Sequence, residues 1–469
     1  MSFPERLEIP LETLAADLSG ALVTPNDPEW DRARTPWNLT VDQQPAAVAF
    51  PHHDDDLRLI LNAARAHGLG VTVQPRGHGA SGDLSDCILI RPQAFDEIEI
   101  FEEDRYARIG AGVLWGTLLK QLDGMGLVPL PGTSPDVSVA GYLLSGGHSW
   151  FSRWKGLAAN SIRAIEFVNA DGVSRRLQAD DTVVGDDADL LWALRGGGGL
   201  FGIVTTLEID LYPAPSLFGG KLTFPGDAAE IVFARAREVL DTGPDELSLF
   251  LGMINMPDLP MVPELMRGQA FATIDVVFVG EAAEGTAFVK PILDSTPVLL
   301  DQTRPFTISQ LGEVAAEPEN PIPSVDWSAT ISELGPDGLD ALVAAFRAAS
   351  PAGLTMMQLR PLGGAIAEMG ADAHGVVGHL DAEYLAFGAA ILLQPDQPFD
   401  AQAVFGPLDA VLEGHSEKRT VPSMLPRGVG LPSAYPPQTL SRLARIKHAV
   451  DPDNILRSNR PLVEATVGS

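Results

Sequence analysis

Three glycines, an arginine and a histidine fall within seven residues in Arg76-Gly77-His78-Gly79-Ala80-Ser81-Gly82. Glycine admits positive φ and lets another group approach the main chain, so successive N–H groups of such a loop can point at an anion such as a pyrophosphate. His78 stands between two glycines with nothing apolar beside it to pack against, which leaves it either an exposed turn residue or a ligand. A second cluster, residues 131–150, mixes glycines with small hydroxyl residues and again suits a backbone wrapped closely around a ligand. In a third, Gly197, Gly199 and Gly202 meet the G-x-G-x-x-G spacing of a dinucleotide fingerprint, which requires a strand before it and a helix after. Here the order is reversed, with a helical pattern over 187–195 and strand alternation over 203–211, so no Rossmann site is expected.

The elements that must position these loops can be read from periodicity. A helix is expected over 11–22, a strand over 47–50, a helix over 54–67 with Leu57, Ile60, Leu61 and Ala64 on one face, and a strand over 71–74 feeding the first loop. A strand over 88–91, a hairpin over 97–101 and 106–110, a helix over 115–125 and a strand over 162–169 follow. Beyond Pro213 the strands lengthen, at 217–224, 247–253, 270–279, 327–331, 356–362 and 385–393, with helices at 228–240, 282–293 and 339–348 between them. The expected fold is α+β. Residues 1–214 form one domain, residues 215–420 a second built on an antiparallel sheet covered by helices, and residues 421–469 a segment returning to the first, with a helix over 438–450.

Composition narrows the function classes. Hydrophobic residues at 45% and charged residues at 20% are globular values. The formal charge of -30 repels nucleic acid phosphates and anionic lipid, so neither is an expected partner. Cys87 is the only cysteine, which rules out an intramolecular disulfide and a metal site built on several thiolates. No basic stretch followed by an apolar one opens the chain, and no apolar run approaches the ~18 residues of a membrane span. A cytoplasmic protein is the default expectation.

Taken in order, the motifs resemble the FAD-linked oxidases of the berberine bridge enzyme and 6-hydroxynicotine oxidase group, within the vanillyl-alcohol oxidase superfamily. Arg76-Gly77-His78-Gly79 resembles the family's flavin-attachment loop, and Ser152-Arg153-Trp154-Lys155-Gly156-Leu157-Ala158 its Ser-Arg-x-x-Gly-Leu-Ala signature. The stretch from Trp192 through Arg195 to Gly202 and Thr205 is similar to its Trp-Ala-x-Arg-Gly-Gly-Gly segment, and Asp451-Pro452 through Asn459 to its C-terminal flavin segment. The resemblance implies a FAD domain of the PCMH type completed by the tail, with the central domain roofing the isoalloxazine. His78 matches the histidine that carries FAD through its 8α-methyl carbon, with Arg76, Gly77, Gly79, Ala80 and Ser81 around the pyrophosphate. Where many members tether FAD a second time through a cysteine, this chain has Ser134, so a single covalent link through His78 is expected. Val137 matches a position whose small size in oxidases leaves room for O2; Gly146, Gly147, Gly202 and Val204 match backbone contacts to FAD, and Asn454 and Asn459 the tail asparagines.

What the resemblance implies chemically is oxidation of a small organic alcohol or amine, with hydride passing to flavin N5 and O2 reduced to H2O2. Gln358 resembles the strand position where relatives carry Glu or Gln facing the flavin, and alternation puts Arg360 on the same face. The two could bind or polarise a substrate oxygen, but neither is a natural base at pH 7. The family's tyrosine before the C-terminal helix is replaced near Val421-Pro422-Ser423-Met424, and Ser145, Ser149 and Leu200 depart from the expected glycines and asparagine. Tyr142, Tyr384 and His379 are therefore the substitute bases to consider. A dehydrogenase or oxidative cyclase on the same fold, and a catalytically silent flavin-binding protein, remain open alternatives.

Overall fold

The computed structural model describes residues 11–462, apart from 81, 83, 180–183, 261, 263, 336, 369–374, 379, 394–398, 417 and 418. Ser81 and His379 thus lie outside the described residues.

The loop bearing His78 hangs from a five-stranded sheet ordered Ala21–Val23, Ala47–Phe50, Cys87–Ile90, Gly70–Val73 and Leu456–Arg457. Its first pair is antiparallel and the rest are parallel. All four residues of Cys87–Ile90 are buried, as a parallel strand covered on both faces requires. The helix Asp54–Ala66 begins with three aspartates, whose charge complements the N-terminal dipole, and buries Leu57, Ile60, Leu61 and Ala64 against this sheet. A second sheet, antiparallel and ordered Ile98–Phe101, Tyr106–Gly110, Ile203–Asp210, Ile162–Val168, Ser174–Gln178, carries the third glycine cluster. That cluster leaves the helix Asp186–Leu194 and enters the strand Ile203–Asp210, the reverse of a Rossmann turn.

The third sheet has eight antiparallel strands. Its main path runs Leu300–Asp301, Leu217–Pro225, Ala270–Val279, Leu247–Asn255, Met356–Pro361, Tyr384–Ile391 and Ser324–Ile331, with Arg304–Pro305 also pairing with Leu217–Pro225. One face buries Leu251, Ile274, Met357, Leu359, Tyr384 and Ala386 against the helices Ala229–Thr242, Gly338–Ala349 and Ala401–Leu412. The opposite face, with Asp275, Gln358, Arg360 and Phe387, turns toward the glycine loops. Among the described residues, no helix is long and apolar enough to cross a membrane.

Several expectations are corrected. Residues 11–22 are not one helix but a helix, Leu11–Asp17, followed by a strand, Ala21–Val23. Gly20 sits where a Cβ would lie 1.8 Å from Phe50 O, so the chain there is pressed against its partner strand. The helix expected over 115–125 stops at Gln121, before Gly124 and Gly126, both at positive φ. The helix Ala401–Leu412 and the edge strand Ser174–Gln178 carry weak sequence signals: Gly406 and Pro407 interrupt the first, and only Leu177 is buried in the second.

Candidate active site

The three glycine clusters, the open face of the third sheet and the C-terminal tail enclose one cavity of about 390 Å³, within the usual range for small-molecule sites.

In the first loop, Gly77 has φ +87, and a Cβ there would meet Pro36 Cβ at 2.6 Å. The turn therefore demands glycine, and it carries Arg76, His78, Gly79 and Ala80 onto the cavity wall. The His78 ring stacks on Trp37 at 4.2 Å and 21°. Arg76 Nη2 donates to both carboxylate oxygens of Asp136, at 2.6 Å to Oδ2. His78 Nε2 lies 3.5 Å from the same Oδ2, near enough to pair when protonated, but completes no hydrogen bond. Burial alone would push the Asp136 carboxyl up; His78 and Arg76 more than reverse this and hold it below the usual carboxylate range.

In the second cluster Ser134, Val137 and Tyr142 line the cavity. Ser134 is buried, and its Oγ accepts a long bond of 3.4 Å from Asp136 N. The Tyr142 ring is boxed by Gly132 and Gly147 and meets Trp115 edge-on at 5.6 Å. Its buried hydroxyl has no partner among the described residues, and burial pushes the phenol far above its ordinary value. Tyr142 is thus built to donate a hydrogen bond, and the expectation of a base there does not fit. Gly146 and Gly147 do not line the cavity. Their carbonyls accept from Ala159 N at 2.8 Å and Ala158 N at 2.9 Å, and at φ +92 and +67 they turn the chain. The next residue, His148, does line it, with both ring nitrogens buried and without a partner among the described residues. Burial, helped by the positive charge of Arg360, lowers the His148 pKa to about 3, so the ring is neutral.

Gly202 and Val204 from the third cluster also reach the cavity, and a Cβ at Gly202 would meet Phe167 at 2.5 Å. In the tail, Asn459 lines the cavity and its Nδ2 donates to Gly79 O, clasping the first loop. Asn454 does not line it: at φ +51 it shapes the turn, and its carbonyl accepts from Arg457 Nε at 2.7 Å. The tail is fastened by a buried knot. Lys447 Nζ donates to Leu200 O at 3.0 Å, to Leu456 O at 2.7 Å and to Asp451 Oδ2, while Asp451 accepts from Ile455 N and Leu456 N.

On the third sheet, Arg360 lines the cavity over the Phe250 ring, 5.1 Å from its centroid. Gln358 stands behind it. Its Oε1 accepts from Arg360 Nε at 2.8 Å and its Nε2 donates to Asp275 Oδ2 at 3.1 Å, so its amide holds the arginine and does not face a ligand. Tyr384 is packed among the helices on the other face, away from the cavity, and burial raises its phenol pKa. The alternation that brings Phe387, Ala389 and Ile391 inward turns it outward.

The cavity suits FAD. The buried Arg76 Nε, His78 Nε2, Tyr142 hydroxyl, both nitrogens of His148 and Ser423 Oγ lack partners among the described residues, and all six side-chain sites belong to residues of its lining. Such groups are costly unless a ligand satisfies them. Sequence reasoning missed Trp37, Asp136, His148, Glu317, Asp326 and Ser423. His148 and Asp136 lie inside the second cluster and could have been singled out, whereas Glu317 and Asp326 reach the cavity from a part of the chain with no motif. Burial raises the Asp326 carboxyl, against the effect of Ser324, Arg460 and His78.

Residues 45–178 match the FAD binding domain family. An FAD-dependent monooxygenase of Fusarium proliferatum is 32% identical over 185 residues, 39% of this chain and 35% of that protein. The (R)-6-hydroxynicotine oxidase of Paenarthrobacter nicotinovorans is 30% identical over 225 residues, 46% of this chain and 48% of its own length. The matched stretch thus spans less than half of either relative. Over the whole fold, Physcomitrella patens BBE-like 1 superimposes with a TM-score of 0.80 at 19% identity, covering 97% of this chain and 100% of that one.

Proposed function

Because the chain carries an FAD binding domain within a berberine bridge enzyme-like fold, we propose that it is an FAD-dependent oxidase of a small organic alcohol or amine, with its flavin tethered through His78 alone. The observation that carries this reading is the convergence of His78, the glycine loops and Asn459 on one cavity lined by unsatisfied polar groups. In this reading residues 1–214 and 421–469 hold the cofactor, and residues 215–420 supply the substrate wall.

When bound, FAD would supply the hydride-accepting chemistry and, in an oxidase, the means of reducing O2 to H2O2. The chain's own residues bind and orient. Trp37 stacks on the face of the His78 imidazole, and Asp136 lies 3.5 Å from its edge at Nε2. Gly77, Gly79, Gly202 and Val204 offer backbone, and Asn459 closes the tail over the loop. Ser134 supplies no thiol for a second tether, and Val137 leaves the wall small where O2 would approach. Tyr142 donates a hydrogen bond and Arg360 polarises a substrate oxygen. The substrate proton then falls to a carboxylate. Glu317 and Asp326 are the acidic side chains lining the cavity among the described residues.

Acid precipitation tests the tether: the yellow chromophore is expected in the pellet for the wild type and in the supernatant for His78→Ala. Chromophore released from wild-type protein would overturn it. Oxygen uptake matched by H2O2 tests the oxidase. Anaerobic bleaching without oxygen turnover would instead show a dehydrogenase or cyclase, and a flavin that no substrate reduces a silent flavoprotein.

A further inference from the structure

Arg360 is a buried cation with no ion-pair partner among the described residues. It is 5% exposed, on the cavity wall, at the end of a polar chain crossing the face of the third sheet. Lys221 Nζ pairs with Asp275 Oδ1 at 2.5 Å, Asp275 Oδ2 accepts from Gln358 Nε2, and Gln358 Oε1 accepts from Arg360 Nε. The one carboxylate in this chain is engaged by Lys221 and the neutral amide, so the chain orients Arg360 without pairing its charge. Among the described residues, neither of its η nitrogens has a hydrogen-bond partner and no carboxylate lies within ion-pair distance. Glu317, on the same cavity, and Asp275, behind Gln358, exert only a longer-range attraction. Phe250 lies beneath the guanidinium, and Tyr142 and His148 nearby on the lining are uncharged.

A buried, unpaired cation is expensive, and a planar fork of donors held at Nε is the geometry that recognises a carboxylate with two parallel hydrogen bonds. Beside Arg360, Met356, Phe387, Ala389 and Ile391 give the sheet's cavity wall an apolar stretch, with Ser324 and Asp326 lining it from the strand Ser324–Ile331. We propose that Arg360 anchors a carboxylate on the substrate, and that the enzyme acts on an organic acid, a hydroxy or amino monocarboxylate with an apolar body. Gln358 is then a positioning residue that presents the fork. The inference rests on the cavity being that of a flavin oxidoreductase and narrows its substrate class.

The test is calorimetric titration of the holoprotein with benzoate and with benzamide, a pair alike in shape and different in charge, after the flavin content of each preparation has been measured. Calorimetry needs no chromophore, so a preparation without flavin would refute the flavoprotein reading while the anion preference was still being read. Benzoate is expected to bind at least about tenfold more tightly than benzamide, the worth of a charge-assisted hydrogen-bond pair. That preference should shrink to within about twofold in Arg360→Gln, persist in weakened form in Arg360→Lys, and fall in Gln358→Leu, which serves if the Arg360 variants misfold. Equal binding of acid and amide by the wild type would overturn the proposal. So would loss of flavin together with the preference in folded Arg360→Gln, since that would assign the guanidinium to the cofactor.

Discussion

Replacing Lys447 with methionine should loosen the candidate site from a distance. The side chain is buried and donates three hydrogen bonds, two to carbonyls of the third glycine cluster and the tail and one to the buried Asp451 carboxylate. Methionine fills similar space but strands that carboxylate, and breaking a buried ion pair from one side costs about 3–5 kcal/mol. With an unfolding entropy near 2.1 cal/mol/K per residue, a chain of 469 residues melting as one unit loses about 1 °C per kcal/mol, so Tm should drop by about 4 °C. The local effect is larger. Leu456–Arg457 pairs with Gly70–Val73, and Val71 N donates to Ile455 O at 2.7 Å. Hydrogen exchange at Val71 should therefore accelerate well before global unfolding. Adding Asp451→Asn removes the stranded charge and should recover about 1–3 kcal/mol. A Lys447→Met protein with Tm within 1 °C of wild type and unchanged exchange at Val71 would refute the idea that this knot holds the tail strand against the His78 strand.

His148 makes stability sensitive to acid. Its native pKa is lowered to about 3 while the unfolded value is about 6.5, so the unfolded chain gains a proton the native state refuses. Stability is lost as pH falls from about 6.5 toward about 3, by about 1.4 kcal/mol per unit from this residue. Urea unfolding at pH 7, 5.5 and 4.5 should show the slope in the wild type and a shallower one in His148→Asn; identical slopes would count against it. Asp136→Asn removes the carboxylate shared by Arg76 and His78. The share of flavin retained in an acid pellet should fall, and complete retention would show that His78 needs no such partner. Gly147→Ala places a Cβ 2.4 Å from Tyr142 Cε1 at φ +67. A cost of about 2–5 kcal/mol is expected by denaturant titration, and a loss under about 1 kcal/mol would mean the Tyr142 ring is free to move.

The strands and helices framing the site were legible because each carries its period within a dozen residues. Asp54–Ala66 shows a helical stripe, and the parity of Met356–Pro361 already places Gln358 and Arg360 on one face. The loop bearing His78 was legible for a related reason: a turn at positive φ leaves its glycine in the text. Parity alone could not say which face of Tyr384–Ile391 turns inward, because both are buried, and so Tyr384 was misplaced. Gly146, Gly147 and Asn454 have the residue types of ligand contacts but use their backbones for turns within the protein.

Which residues pair was invisible for a single physical reason: the partners come from far along the chain. Asp136 approaches Arg76 across 60 positions of sequence, and Asp275 approaches Gln358 across 83. Local spacing encodes which loops can wrap a ligand and which side chains share a strand face, since those depend on dihedral angles and pleat. Whether a side chain there faces the ligand or spends its polar atoms on a neighbour depends on sheet pairing and burial. Pairing is what set Gln358 behind Arg360, left the guanidinium uncompensated at the cavity wall, and joined the tail to the strand that carries His78.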